Sequence, residues 1–341
     1  MKKLKGVCIG AGYFGHFQYE AWNRIPEVEI TACCDLDAEK RATISKQYGI
    51  KNSYEDWREM LDKEQPDFVD IITPPATHLE MSTEAAKRGI HIVCQKPLAG
   101  SFERAKELVE KCSKVRLMIH ENFRYQPWHR EIKRQIEAGA IGKPFSLYMR
   151  SRMGDGWGDT PYTPRQPYFR NYPRLLIYET GIHFIDTFRY LMGEIEEVDC
   201  WLRQLNSAIK AEDCGLMIIR HTNGCMSVWD ANRYNEPPTG TKARYTFGEM
   251  LVEGSKGSLR LKTDGSIEYQ ALGEPSVTLD YEHHDRGFAG DCAYNCQRHF
   301  VDCMLDGSEF ETSGQDYLKN MEAQQAIYEA AEKHGWQIPS E

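Results

Sequence analysis

Apolar residues in the first 120 positions gather in short runs, at Lys5–Ile9, Glu29–Cys34, Phe68–Ile72, Ile90–Cys94 and Arg116–Ile119, with polar stretches rich in Ala, Glu, Lys and Arg between them. Runs of that length read as strands and the stretches between them as amphipathic helices. Val69-Asp70-Ile71-Ile72 and His91-Ile92-Val93-Cys94 lack polar alternation, which suits strands covered on both faces. The alternation predicts a doubly wound parallel sheet with crossover helices.

After about residue 125 the rhythm changes. A helix pattern over Trp128–Ala138 leads to a strand at Phe145–Arg150, then to a loop over Met153–Pro173 full of Gly, Pro, Tyr and Arg. A loop that long is a candidate for function. A helix is expected over Tyr178–Met192, followed by strands at Val198–Leu205, Gly215–His221, Met226–Asn232, Ala243–Glu253 and Ser258–Lys262. Their short connections predict an antiparallel sheet. Helices at Arg286–Leu305 and Gln315–His334 close the chain. The expected fold class is α/β, in two domains over residues 1–124 and 125–341, a division that the length of 341 residues supports.

Composition narrows the function classes. A formal charge of −9, with no stripe of Lys and Arg, speaks against a nucleic-acid surface. The basic start Met1-Lys2-Lys3-Leu4-Lys5 precedes an apolar run too short for a signal peptide, and no stretch approaches a membrane span. The expected location is the cytoplasm, where most of the eleven cysteines would be reduced, buried thiols. Cys292, Cys296, His299 and Cys303 share one helical face, but one straight helix cannot offer four tetrahedral ligands, so no metal is expected.

The turn Gly10-Ala11-Gly12-Tyr13-Phe14-Gly15 follows a predicted strand and opens a predicted helix. In that context Gly10 makes the tight turn, Gly12 admits a pyrophosphate and Gly15 lets helix and strand pack closely. The phosphates would meet the amides of the helix N-terminus. Twenty residues beyond Gly15, Asp35 ends the second strand, beside Leu36. A carboxylate there accepts from ribose hydroxyls and repels a 2′-phosphate, so NAD is favoured over NADP, with Lys40 and Arg41 keeping NADP open.

Lys96 follows the strand Ile90–Cys94, where ligands of parallel sheets bind, and its ammonium suits an alkoxide that forms as hydride leaves. Glu179 and His183 stand four residues apart, a spacing that stacks them on one face of an α-helix, as a general base and its orienting carboxylate require. Asp186 is the alternative orienting group. Substrate contacts are expected from Lys96, Glu179 and His183 together with Arg124, Tyr125, Trp157, Arg165, Tyr168, Asn232 and Arg233, aromatic faces packing on C–H groups and polar groups binding hydroxyls.

The glycine turn, Thr73-Pro74-Pro75-Ala76-Thr77-His78, the Lys96-Pro97 pair and Gly181-Ile182-His183-Phe184-Ile185-Asp186 together resemble the glucose-fructose oxidoreductase, inositol dehydrogenase and rhizopine-catabolism (Gfo/Idh/MocA) family. The resemblance implies a Rossmann domain and an α/β domain whose large open antiparallel sheet forms the interface of a homodimer or homotetramer, with the last helix packing back on the first domain. It makes Lys96 and His183, with Glu179, the catalytic group. It lines the cofactor with Tyr13, Phe14, Leu36, Thr73, Pro74, Pro75, His78, Gln95, Lys96 and Asn122. Two departures stand out: Gln95 replaces the family's glutamate before the Lys-Pro pair, and Glu179 its aspartate four before the histidine. Gln95-Lys96-Pro97, His120–Gln126 and Gln166-Pro167-Tyr168 look like the members that oxidise the anomeric carbon of a branched pentose, D-apiose, to a lactone. Three readings follow: an NAD-dependent dehydrogenase of a sugar or polyol, an NAD-dependent glycosidase using transient oxidation, and a non-catalytic NAD-sensing regulator.

Overall fold

Six strands and five helices alternate along the first part of the chain: β1 (Leu4–Ile9), α1 (Gly15–Asn23), β2 (Val28–Cys34), α2 (Ala38–Tyr48), β3 (Asn52–Tyr54), α3 (Trp57–Glu64), β4 (Phe68–Ile71), α4 (Pro75–Lys87), β5 (His91–Cys94), α5 (Phe102–Lys111) and β6 (Leu117–Ile119). This computed structural model describes residues 3–163 and 165–339, so Met1 and Lys2 of the basic start and Pro164 of the long loop lie outside it. The helices begin where local chemistry allows. Asp37 accepts from the Glu39 and Lys40 amides to cap α2, Asp56 caps α3 and Ser101 caps α5. Gly49, at φ 68°, ends α2 in the left-handed region.

All six strands are parallel, in the order β3-β2-β1-β4-β5-β6. The order reverses between β1 and β4, and the crevice beyond their carboxyl ends is where such sheets take ligands. Residues 293–321 belong to the same compact unit as residues 1–122. Within it Trp22 and Phe68 pack with Phe300, ring centroids 5.0 to 6.1 Å apart.

Residues 123–292 and 322–341 form a second unit. Along the chain follow α6 (Pro127–Glu137), β7 (Pro144–Arg152), a π-helix over Leu176–Gly181, α7 (Ile182–Met192), β8 (Ile195–Arg203), β9 (Cys214–His221), β10 (Met226–Asn232), β11 (Glu249–Gly254), β12 (Gly257–Leu261), β13 (Ile267–Ala271), β14 (Val277–Thr278), α8 (Cys292–Asp306) and α9 (Gly314–Lys333). The eight-stranded sheet runs β14-β13-β12-β11-β7-β10-β9-β8. It is mixed rather than purely antiparallel, because β7 pairs in parallel with β10. Phe184 of α7 packs on Trp229 of β10, centroids 5.0 Å apart, and one sheet face is buried through Leu147, Met149, Met217 and Ile219. Two predicted elements start late. Phe247 and Gly248 have positive φ, so the strand expected from Ala243 begins at Glu249. Positive φ at Gly287 and at Ala289 to Asp291 likewise delays the helix expected from Arg286 until Cys292.

Candidate functional site

In the first unit β1 runs into Gly10, where φ is +107° and a Cβ would lie 2.8 Å from the Ile72 carbonyl oxygen, so only glycine serves. At Gly12 an added Cβ would meet nothing within 4 Å; the turn faces open space. Phe14 precedes α1 without a side-chain cap, and no acidic residue occupies the first turn of α1, which leaves the helix N-terminus suited to an anion. Gly15 sits close against the Gly10 carbonyl. Tyr13 is part-exposed, and Phe14 packs edge-on to His120 at 6.1 Å.

Asp35 is fastened to this turn. Its Oδ2 accepts from the Ala11 amide at 2.7 Å and its Oδ1 from the Asp37 amide at 2.9 Å. Leu36 beside it is 84% exposed. Asp37 is occupied as the cap of α2, and Arg41 donates to the Asp35 carbonyl.

Thr73 and Pro74 lie between β4 and α4, whose first residue is Pro75, and the Thr73 hydroxyl is 2.7 Å from that of Thr77. His78 is wholly buried, its ring nitrogens 2.8 Å from the Thr73 carbonyl and 3.1 Å from the Leu98 carbonyl. Burial pushes its imidazole down, against the backbone carbonyls, which favour the charged form. Half-buried Lys96 follows, joined to Pro97 by a cis bond. The buried Gln95 amide is 2.6 Å from Gln18 Oε1 through Nε2 and accepts from the Lys96 amide at 3.1 Å. Asn122 is buried too, and its Oδ1 has no hydrogen-bond partner among the described residues. An open glycine cradle, an uncapped helix and an orphaned buried acceptor fit a dinucleotide.

In the second unit the helix expected over Tyr178–Met192 divides. Its first part is a π-helix, and Glu179 therefore lies on a wider turn than His183, in the first turn of α7. Glu212 Oε1 holds the π-helix by accepting from the Leu175 and Ile177 amides at 3.1 and 3.2 Å and from the Tyr328 hydroxyl. Gln324 donates to the Ile177 carbonyl.

His183 stacks on Phe123, ring centroids 3.9 Å apart and planes 5° from parallel. Asp186 pairs with Arg124: Nε and Nη2 meet its two oxygens at 2.8 and 2.6 Å, all buried. Tyr125 is buried as well, under the Arg130 guanidinium at 4.3 Å.

Three of the remaining substrate candidates come together. Burial and the negative charge of Glu179 push the Tyr168, Tyr172 and Tyr178 hydroxyls upward. Arg233 reaches Thr180 Oγ1 at 3.2 Å, beside Glu179, and pairs with Asp155 at 2.8 Å. Arg165 and Arg244 join the same Asp155 oxygen at 3.0 and 2.9 Å. Against the upward push of burial, these three cations hold Asp155 at about 2. Trp157 stands 53% exposed in the same loop, and Asn232 Oδ1 accepts from the Asn235 amide. Sequence reading missed Asp155, and only its setting between Gly154 and Gly156 in the long loop marked it.

Residues 4–123 match the Gfo/Idh/MocA oxidoreductase family, NAD-binding Rossmann fold, and residues 129–260 match the Gfo/Idh/MocA C-terminal domain. The chain is 33% identical to D-apiose dehydrogenase of Paraburkholderia graminis, over 97% of this chain and 88% of that one. It is 31% identical to D-apiose dehydrogenase of Rhizobium rhizogenes, over 97% and 96%. An oxidoreductase from Agrobacterium radiobacter, solved with NAD+, L-tartaric acid and magnesium, superimposes with a TM-score of 0.89 at 30% identity, covering 98% of this chain and 97% of its own. Both domain matches and full-length relatives above 30% identity agree with the glycine turn and its fastened aspartate: the chain belongs to the Gfo/Idh/MocA family of NAD-binding oxidoreductases.

Proposed function

We propose that the protein is an NAD-dependent dehydrogenase of a sugar or polyol, and that its reaction is oxidation of the anomeric carbon of D-apiose to the lactone. The observation that carries this reading is the full-length likeness to two D-apiose dehydrogenases, in a chain that carries Lys96, Glu179 and His183. The first unit takes the cofactor and the second the substrate. Gly10, Gly12 and Gly15 with the start of α1 receive the pyrophosphate, Asp35 the adenosine ribose, and Thr73, Gln95 and Asn122 the nicotinamide end. Bound NAD supplies the hydride acceptor. The Lys96 ammonium polarises the substrate hydroxyl and stabilises the alkoxide. His183 takes the hydroxyl proton on a ring nitrogen, and the Glu179 carboxylate favours the imidazolium that results. Arg165, Tyr168 and Trp157 bind the remaining sugar surface. The eleven cysteines suit a reducing cytoplasm as the place of action.

The test is a screen for NADH formation over aldoses, polyols and sugar acids with apiose included, followed by product analysis. Apiose is expected to give NADH and the lactone, and Lys96→Ala to lose at least about a hundredfold in rate. NADH from an inositol or a sugar acid with none from apiose would replace the substrate. Cleavage of a glycoside without net NADH would replace the reaction.

We also propose that the chain pairs with a second copy through the open face of its eight-stranded sheet. Strand register sets Ile218, Val228, Tyr148 and Leu251 in one cross-strand row on that face, an apolar band four strands wide between Asp199 and Arg260.

A further inference from the structure

Asp70 lies in the middle of β4, wholly buried, in a strand that is otherwise apolar. A carboxylate there is costly without donors, and the first unit supplies them. Trp22 Nε1 donates to Asp70 Oδ2 at 2.7 Å, and Gln18 Nε2 lies 2.9 and 2.8 Å from its two oxygens. Gln18 is itself fully buried. Its Oε1 accepts from Gln95 Nε2 at 2.6 Å, and Gln95 Nε2 also lies 3.4 Å from His120 Nδ1. Gln95 Oε1 then accepts from the Lys96 amide.

The direction of this chain follows from its buried end. An ionised carboxylate accepts only, and an indole N–H donates only. Gln18 must therefore turn its NH2 to Asp70 and its oxygen outward. That oxygen needs a donor, so Gln95 turns its NH2 inward and leaves its own oxygen at the carboxyl edge of the sheet. Burial pushes Asp70 up to about 7, and the hydrogen bonds from Trp22, Gln18 and Gln297 oppose that push.

We propose that Asp70 is a positioning residue which, through Gln18, fixes the Gln95 amide with its oxygen toward Lys96, so that a neutral side chain presents an acceptor to the hydroxyls of the bound dinucleotide. This rests on the reading of Gln95 as a cofactor contact, and the experiment separates the two.

The affinity for NAD is measured at about pH 8, above the Asp70 value, for the parent chain, Asp70→Asn, Gln95→Glu, the double variant and Gln95→Leu. In Asp70→Asn the new amide can donate to Gln18, which flips and turns Gln95 round. In Gln95→Glu two acceptors face each other across the Gln18 contact. Each single change is expected to weaken NAD binding about tenfold. In the double variant the relay runs in reverse, with the amide introduced in β4 donating to Gln18 and Gln18 donating to the new carboxylate, so binding returns to within about threefold of the parent. A double variant about a hundredfold weaker, the product of the singles, would overturn the relay, as would unchanged single variants. Gln95→Leu with parental affinity would instead overturn the cofactor contact on which the proposal rests. Far-UV circular dichroism and thermal unfolding check each variant. If Asp70→Asn does not fold, the relay requires Gln95→Glu to bind NAD no better than Gln95→Leu, and parental binding by Gln95→Glu overturns it.

Discussion

Asp35 is set in place by the backbone of the very turn it serves. The Ala11 amide fixes its Oδ2, so the carboxylate stands beside the glycine turn with little side-chain freedom left to lose. Asp35→Ala is therefore expected to weaken NAD by about tenfold or more while NADP loses less, because a charge that repels a 2′-phosphate has gone. Paired binding titrations check this, and an unchanged NAD to NADP ratio would refute it. Arg124 carries a different expectation. Arg124→Met leaves Asp186 buried without its cation, which should cost about 3–5 kcal/mol in urea unfolding, and Arg124→Met with Asp186→Leu should recover most of that. Asp35 was legible because its distance from the glycine turn carries the signal. Arg124 was not, since a position just after a strand says nothing about the partner that buries it. Asp70 was legible in principle: a carboxylate inside the run Phe68–Ile71 had to have donors, but nothing local named Gln18 and Trp22.

At the scale of elements, the π-helix that carries Glu179 depends on one carboxyl group from elsewhere in the chain. Burial pushes Glu212 up to about 7 from the ordinary 4.5, against hydrogen bonds from Tyr328 and the Leu175 and Ile177 amides. Because the folded value lies above the unfolded one, the stabilising contribution is complete below about 4.5 and is lost as pH rises through about 7. Glu212→Gln keeps the acceptor oxygen and removes the titration. Its urea midpoint should fall less than the parent's between about pH 5 and about pH 8, by a difference on the order of 1–3 kcal/mol. Equal falls in the two proteins would show that the folded state does not raise Glu212 above its unfolded value. The sequence pattern over Tyr178–Met192 showed a helix but not its type, since the π-turn is imposed by Glu212, Gln324 and Tyr328 from distant positions. Short polar strands escaped for a related reason. Asn52–Tyr54 and Val277–Thr278 lie at sheet edges, where neither face has to be apolar.

For the whole molecule, the succession of strands foretold a large second sheet but not that β7 lies parallel to β10. Strands β8 to β10 are built as antiparallel neighbours after β7, and β7 then takes the free edge of β10 rather than of β8. That insertion places Tyr148 between Val228 and Leu251, which completes the apolar row Ile218–Val228–Tyr148–Leu251. An apolar band with charged ends, part-exposed at Ile218, Val228 and Leu251 and exposed at Tyr148, favours a second copy over solvent. Light scattering on the parent should give a multiple of the 39.4 kDa chain mass at micromolar concentration. Val228→Lys puts a charge at the centre of the row, where pairing two copies would bury it uncompensated, and should shift the protein to the single-chain mass. The side chain lies on the face opposite the core, so unfolding of the separated chain should change by only about 1 kcal/mol. A parent of single-chain mass, or a Val228→Lys protein that keeps the parental mass, would remove the open face as the contact surface.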